Sequence, residues 1–225
     1  MDEDRLVKQV YKHFKASTVL KRNSWSFYTK QLLVDLNLGH LWISEKVGDL
    51  GSWNSFITQV FKDREVRQWK ERMERKPKLR LYRTLKGQLV REEYLNTDLP
   101  FNIRRHITQL RSGTHKLRIE SGRWDKEALE NRVCKLCSMG VLEDEVHFLV
   151  DCHLYDRQRS FMMNTIFHNT LFNLKKMSDD KLWMIDFLIG HGPTNAKSRL
   201  VVSRAVGNFI ISAMRLRRKL LGSCT

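Results

Sequence analysis

Cys134, Cys137, His147 and Cys152 fall within 19 residues of a 225-residue chain, and their types and spacing are those of a tetrahedral metal site. A Cys-x-x-Cys pair bends the backbone into a knuckle that aims both sulfurs at one ion, and a second pair on the next element closes the tetrahedron. Thiolates suit soft or borderline cations, so the expected cofactor is one Zn²⁺ rather than a harder metal. Four protein ligands leave no open position for water or substrate, so the expected role is structural. His153 is an alternative ligand, but it adjoins Cys152, and neighbours on one element cannot both aim at the same ion. Cys152 is preferred for its thiolate. The bland alternative is unrelated thiols and a stray histidine, which fits poorly when three of the four cysteines sit in this one stretch. The fourth, Cys224, reads as a free thiol in a frayed C-terminal tail.

The elements that must position this set read as helices. Glu143-Asp144-Glu145 before His147-Phe-Leu-Val suggests an acid-rich first turn of an amphipathic helix that ends near Cys152. Upstream, Ser24 can cap a helix from Trp25 to about Leu36, with Trp25, Tyr28, Leu32, Leu33 and Leu36 on one face and Gly39 as its stop. After a loop over Val47–Gly51, Ser52 is expected to cap a longer helix striped by Trp53, Phe56, Ile57, Val60 and Phe61. Val66, Trp69 and Met73 then fall on roughly the opposite face. That helix either bends near Asp63-Arg64 or turns its second half to a different partner.

Pro77 suits the first turn of a helix carrying Leu79, Tyr82, Leu85 and Leu89. A short helix with Ile103, Ile107 and Leu110 should stop at Gly113, and the alternation in His115–Glu120 predicts a strand or extended segment. Helices follow at about 154–166, at 179–189 with Ser178 as cap, and at about 195–220. The six tryptophans read as core anchors, with Trp124 mostly buried. The expected fold is therefore mostly α: a helical N-terminal module, a small Cys-Cys-His-Cys zinc knuckle and C-terminal helices. The chain is expected to divide into an extension (1–23), a basic helical region (24–100), a basic connector (101–126), the zinc unit (127–166) and a C-terminal helical region (167–225).

A formal charge of +16 and a pI near 9.9 point to a polyanionic partner. From Lys62 to Arg91 twelve basic residues stand against four acidic ones, and from Arg104 to Lys126 seven stand against two. Seven basic residues between Lys197 and Lys219 face no acid at all, whereas residues 127–156 carry seven acids against two bases. The knuckle is thus poorly suited to gripping phosphates and better suited to pinning the basic elements on either side. Any one basic run is usually a solvated helix face; three in one chain favour nucleic-acid binding. Candidate contacts are Arg75, Lys78, Arg80, Arg83, Arg104 and Arg105.

Little else in the sequence suggests chemistry. It has no nucleophile elbow, phosphate loop or His-Glu-x-x-His, and Asp179-Asp180 reads as a helix start. The chain is expected to be no enzyme and to take no small-molecule substrate. No apolar run approaches the roughly 18 residues of a membrane span, and the opening Met-Asp-Glu-Asp-Arg has no signal-peptide character. With cysteines in zinc rather than disulfide spacing, nucleus or cytoplasm is the expected location.

Three blocks carry a resemblance: Leu110-Arg-Ser-Gly-Thr-His115-Lys-Leu-Arg-Ile-Glu120-Ser-Gly122-Arg123-Trp124, then Glu130–Cys137, then Leu142–Tyr155. They resemble the region that follows the polymerase in LINE-type non-LTR retrotransposon reverse transcriptases. Ser24-Trp25, Leu38–Trp42, Val47-Gly48-Asp49, Trp69 and the final helix around 202–219 extend the likeness over most of the chain. The resemblance implies a stand-alone C-terminal region without the upstream endonuclease and polymerase. It also implies that Arg111, His115, Lys116, Arg118 and Arg123 contact the backbone of RNA or DNA, largely regardless of sequence, with the zinc ligands as scaffold. Two expectations stand side by side: a binder of RNA or single-stranded DNA, or a protein-interaction or inert structural domain with a solvated basic surface.

Overall fold

A computed structural model describes residues 6–16, 24–174 and 179–222. The expectations for Ser178 and Cys224 lie outside the described residues. The fold is mostly α, with no strand among the described residues and one isolated antiparallel bridge, Val133 to Leu142. No helix of the described residues is long and apolar enough to cross a membrane. The chain divides into two units, Met1–Arg67 and Gln68–Thr225, a boundary inside the expected 24–100 region.

The first unit holds α1 (Leu6–Ala16), α2 (Trp25–Asp35), α3 (Gly39–Ser44) and most of α4 (Leu50–Glu74). Ser24 caps α2 as expected, its hydroxyl accepting from the Phe27 amide. The stop is different. Asn37, at φ +59°, takes the left-handed position, and the Leu38 and Asn37 amides close on the Leu33 and Val34 carbonyls. Gly39 instead opens α3. Asp49 rather than Ser52 caps α4, its carboxylate accepting from the Ser52 amide at 2.7 Å, so the helix starts within the expected loop. α4 runs unbroken through Asp63-Arg64, and its opposite-facing second half belongs to the second unit, where Met73 is buried.

Packing in the first unit is thin. Tyr11 meets Trp25 and Trp42 at ring separations of 6.0 and 6.4 Å, yet Leu38 is the only buried apolar side chain described there. Trp25 and Tyr28, expected on an inward face, are exposed. So are Leu6, Ile43 and Phe56.

The second unit contains a continuous core. A turn at Pro77–Leu79 leads into α5 (Arg80–Leu85); α6 is Phe101–Arg111 and α7 Arg118–Trp124. After the knuckle come α8 (Asp156–Thr170), α9 (Lys181–Ile189) and α10 (Ala196–Gly222). α10 packs against α8 and α6, burying Val202, Val206, Phe209, Ile210 and Ala213. Ile103, Ile107 and Leu110 of α6 are buried as their spacing requires, and a side chain at Gly207 would meet Ile103 at 2.3 Å, so glycine lets the two helices close. Leu89, expected on α5, lies beyond it and is exposed. α9 is capped by Asp180, whose carboxylate accepts from the Leu182 amide.

Two expectations fail here. His115–Glu120 is not a strand, and it is extended only as far as Leu117, because α7 begins within it at Arg118. The alternation is real, since His115, Leu117 and Ile119 all point inward, but the backbone turns into a helix whose start is held by a distant residue. The tryptophans are not core anchors either. None is buried, and Trp124 is 51% exposed. Aliphatic side chains with Tyr94, Phe148, Tyr155, Phe187 and Phe209 fill the core instead, and Trp183 packs half-buried against it.

Candidate metal centre and the surfaces around it

Glu143's amide donates to the Arg132 carbonyl and Cys134's amide to the Val141 carbonyl, forming a two-rung hairpin that carries Cys134 and Cys137 at its tip. Gly140, at φ +63°, turns the tip. On the returning strand Asp144 accepts from the His147 amide at 2.8 Å. The expected amphipathic helix is one wide turn, His147–Asp151, closed by the Cys152 amide on the His147 carbonyl. A wide turn puts residues five apart in register, and here it brings His147 and Cys152 to the same point.

The ligand atoms of Cys134, Cys137, His147 and Cys152 all lie within 4.8 Å of one another, which is compatible with a metal ion. Cys137 Sγ and His147 Nε2 are 3.5 Å apart. His153 is exposed, beside Asp156, and not part of the cluster. The surroundings fit a cation. Backbone amides of Leu136 and Cys137 donate to the Cys134 sulfur and that of Leu154 to Cys152, which favours thiolate. Without a cation, burial dominates: it pushes the Cys134 thiol up and Cys152 to about 12, and it pushes the His147 imidazole down. His147 Nδ1 is buried without a hydrogen-bond partner.

Two of the three acids expected in that helix's first turn take up different work. Glu143 and Glu145 are 1% and 2% exposed. Arg217 of α10 forks onto Glu143, Nε to Oε1 at 2.9 Å and a terminal nitrogen to Oε2 at 2.8 Å. Glu143 also accepts from the Arg118 amide at 2.8 Å, and its carbonyl from the Ile119 amide at 3.1 Å, so it caps α7 across 25 residues of sequence. Glu145 Oε1 pairs with His115 Nε2 at 2.8 Å, while its other oxygen takes Arg80. Arg159 donates to the carbonyls of Leu149 and Cys152, both at 2.9 Å, and so braces the ligand turn.

These pairs remove several residues from the expected nucleic-acid surface. Arg111 is 2% exposed, pairing with Glu92 at 2.7 Å and donating to the Ile189 carbonyl. His115 is buried, and Arg80 is tied to Glu145. Arg123 forks onto Glu120, and Arg118 is held by Glu127 and Asp125. A guanidinium buried like that of Arg111 holds the fold and cannot reach a phosphate, whereas Arg80 and Arg123 are about a third exposed with their charge already paired. Arg105 and Lys116 are exposed, and Arg104 is half-buried. Arg75, Lys78 and Arg83 lie outside the grooves described next, with Arg83 donating to the Glu74 carbonyl.

The structure assembles two adjoining grooves. One, of about 660 Å³, is lined by Arg105, His106, Lys116, Met214, Arg217 and Arg218 among others. The second, of about 410 Å³, is lined by Lys116, Arg118, Ser121, Trp124, Lys135, Leu136, Arg217 and Leu221. Neither lining contains a carboxylate. Arg105, Lys116, Lys135 and Arg218 are exposed with no ion pair among the described residues. On its other side the zinc-type unit borders a cleft of about 1260 Å³ lined by Asp144, Asp151 and Asp156 with Arg159 and Lys181.

Sequence reasoning missed Lys135 and the inward role of Arg217. Periodicity contained the last of these, because Val206, Ile210, Ala213 and Arg217 share one helical face. Compared with family models, with characterised proteins and with solved structures, the chain matches none.

Proposed function

We propose that this protein is a non-catalytic nucleic-acid-binding module, taking RNA or single-stranded DNA by its backbone and built around one structural Zn²⁺. The observation that carries the reading is the pair of adjoining grooves lined by cations and free of carboxylates. Low-dielectric walls focus the potential of such a groove on a polyanion. Thiolate-rich ligands and the amides donating to Cys134 and Cys152 support zinc. Bound zinc would supply only a cross-link between hairpin and wide turn; Arg105, Lys116, Lys135 and Arg218 do the binding. The residues quoted above for the LINE-type region support an origin there.

The test is a titration of purified protein against RNA, single-stranded DNA and duplex DNA at several salt concentrations. Affinity should fall steeply with salt, with a log–log slope of about −0.7 per phosphate contact on single strands. Binding that is absent or insensitive to salt would overturn the reading, and primer extension by the purified chain would overturn its non-catalytic part.

A second reading attaches to the first unit alone. Leu6, Trp25, Tyr28, Ile43 and Phe56 are exposed there, and surfaces so apolar usually meet protein. Concentration-dependent self-association or capture of a defined partner, lost on Ile43→Asp, would support an interaction role; a monomer unaffected by that change would remove it.

A further inference from the structure

We propose that Trp124 is a base-stacking site, the point where the smaller groove takes one unpaired nucleobase of a single strand. This inference rests on the nucleic-acid reading above and adds to it a recognition element other than charge.

Trp124 closes α7, whose inward face is Ile119, Glu120 and Gly122. Arg118, Ser121 and Trp124, three residues apart, share the opposite face and line the groove. The indole is 51% exposed, an unusual position for the side chain with the most apolar surface to bury. Across the groove stand Lys135 and Leu136 from the knuckle and Leu221 from α10. Lys116 and Lys135 are exposed and make no ion pair among the described residues, whereas Arg118 is already held by Glu127 and Asp125.

That combination matches the two halves of a nucleotide. A flat π-face takes a base of any identity, and the free ammonium groups lining the same groove take neighbouring phosphates. A duplex offers the second half but hides the first, because its base faces are already stacked. Lys116 lines both grooves, so a strand anchored at Trp124 continues past it toward Arg105 and Arg218. The ring therefore contributes a preference for unpaired bases that lysines alone do not give.

The experiment compares a short single-stranded oligonucleotide with its abasic counterpart, identical in phosphates, in RNA and DNA versions, by fluorescence anisotropy at several salt concentrations. Wild type should bind the base-bearing strand about tenfold or more tighter than the abasic one. Trp124→Ala should erase that difference while leaving the salt slope unchanged, and Trp124→Phe should keep part of it. Retained zinc in both variants shows that the fold has survived. Equal binding of the two strands by wild type, or an undiminished preference in Trp124→Ala, overturns the stacking site while leaving the charge reading intact. Wild type that binds neither strand in a salt-dependent way overturns both.

Discussion

Two surfaces flank the same Cys-Cys-His-Cys knuckle, and they differ in whether carboxylates line them. His147 and Met139 look into a broad cleft with three aspartates; Lys135 and Leu136, from the same Cys-x-x-Cys loop, look into a groove with four cations and no acid. Counting charge along residues 127–156 hides this division, because seven acids in the segment appear to rule out any contact with phosphate. The two most central acids, Glu143 and Glu145, face neither cleft nor groove. They are consumed by Arg217, His115 and Arg80. Net charge of a segment thus says less than which of its charges are already spent.

The comparison breaks most completely if the centre is removed. Cys137→Ser or strong chelation should unravel about residues 130–155, since such sites contribute roughly 10–16 kcal/mol of folding energy. Both surfaces would be lost together, seen as loss of metal, of helical signal and of nucleic-acid binding; a chelated protein that keeps its denaturation midpoint would refute this. The same centre should respond to pH in one direction. A thiol in an unravelled chain titrates at about 8.5 and burial raises Cys134 and Cys152 further, so Zn²⁺ must displace at least those two protons. Apparent affinity should rise about 100-fold per pH unit near neutrality and fall correspondingly in acid, as read from competition with a chelator of known affinity.

Arg217→Met comes next in size. It leaves Glu143 buried without its cation and should cost about 3–5 kcal/mol in denaturant unfolding, with much of the loss recovered when Glu143 is replaced by Leu in the same chain. No recovery in the double variant would mean that Glu143's capping of α7, rather than the ion pair, holds the stability. Replacing Arg105, Lys116, Lys135 and Arg218 together by Ala should flatten the salt slope by about two to three units and barely move stability. Asp151→Asn, on the acidic side, should leave the slope as it was and shift stability by less than about 1 kcal/mol, its partner Lys181 being exposed. If the aspartate variant changes the slope as much as the quadruple one, the two surfaces are not distinct.

Much of this was legible in the chain. Cysteine and histidine spacing identified the cluster, and helical spacing identified the buried face of α6. What the sequence could not display were partners far apart in it: Glu143 with Arg217 across 74 residues, Arg111 with the Ile189 carbonyl across 78 and His115 with Glu145 across 30. Each turns a residue that reads as solvated and basic or acidic into one that is buried and neutralised. The strand expected at His115–Glu120 failed for the same reason. Its inward alternation was sound, but the choice between strand and helix was made by a carboxylate 25 residues downstream.

That distant cap carries a consequence for the order of assembly. α7 has seven residues, too few to persist as an isolated helix, and its first amides close on a residue that lies beyond the knuckle. A nascent chain emerging from the ribosome therefore cannot complete α7 until Glu143 has been made, and cannot lock Glu143 until Arg217 of the final helix arrives. The helix that bears Arg217 is the one that secures a turn begun about a hundred residues earlier, so this unit cannot complete its fold until α10 has emerged.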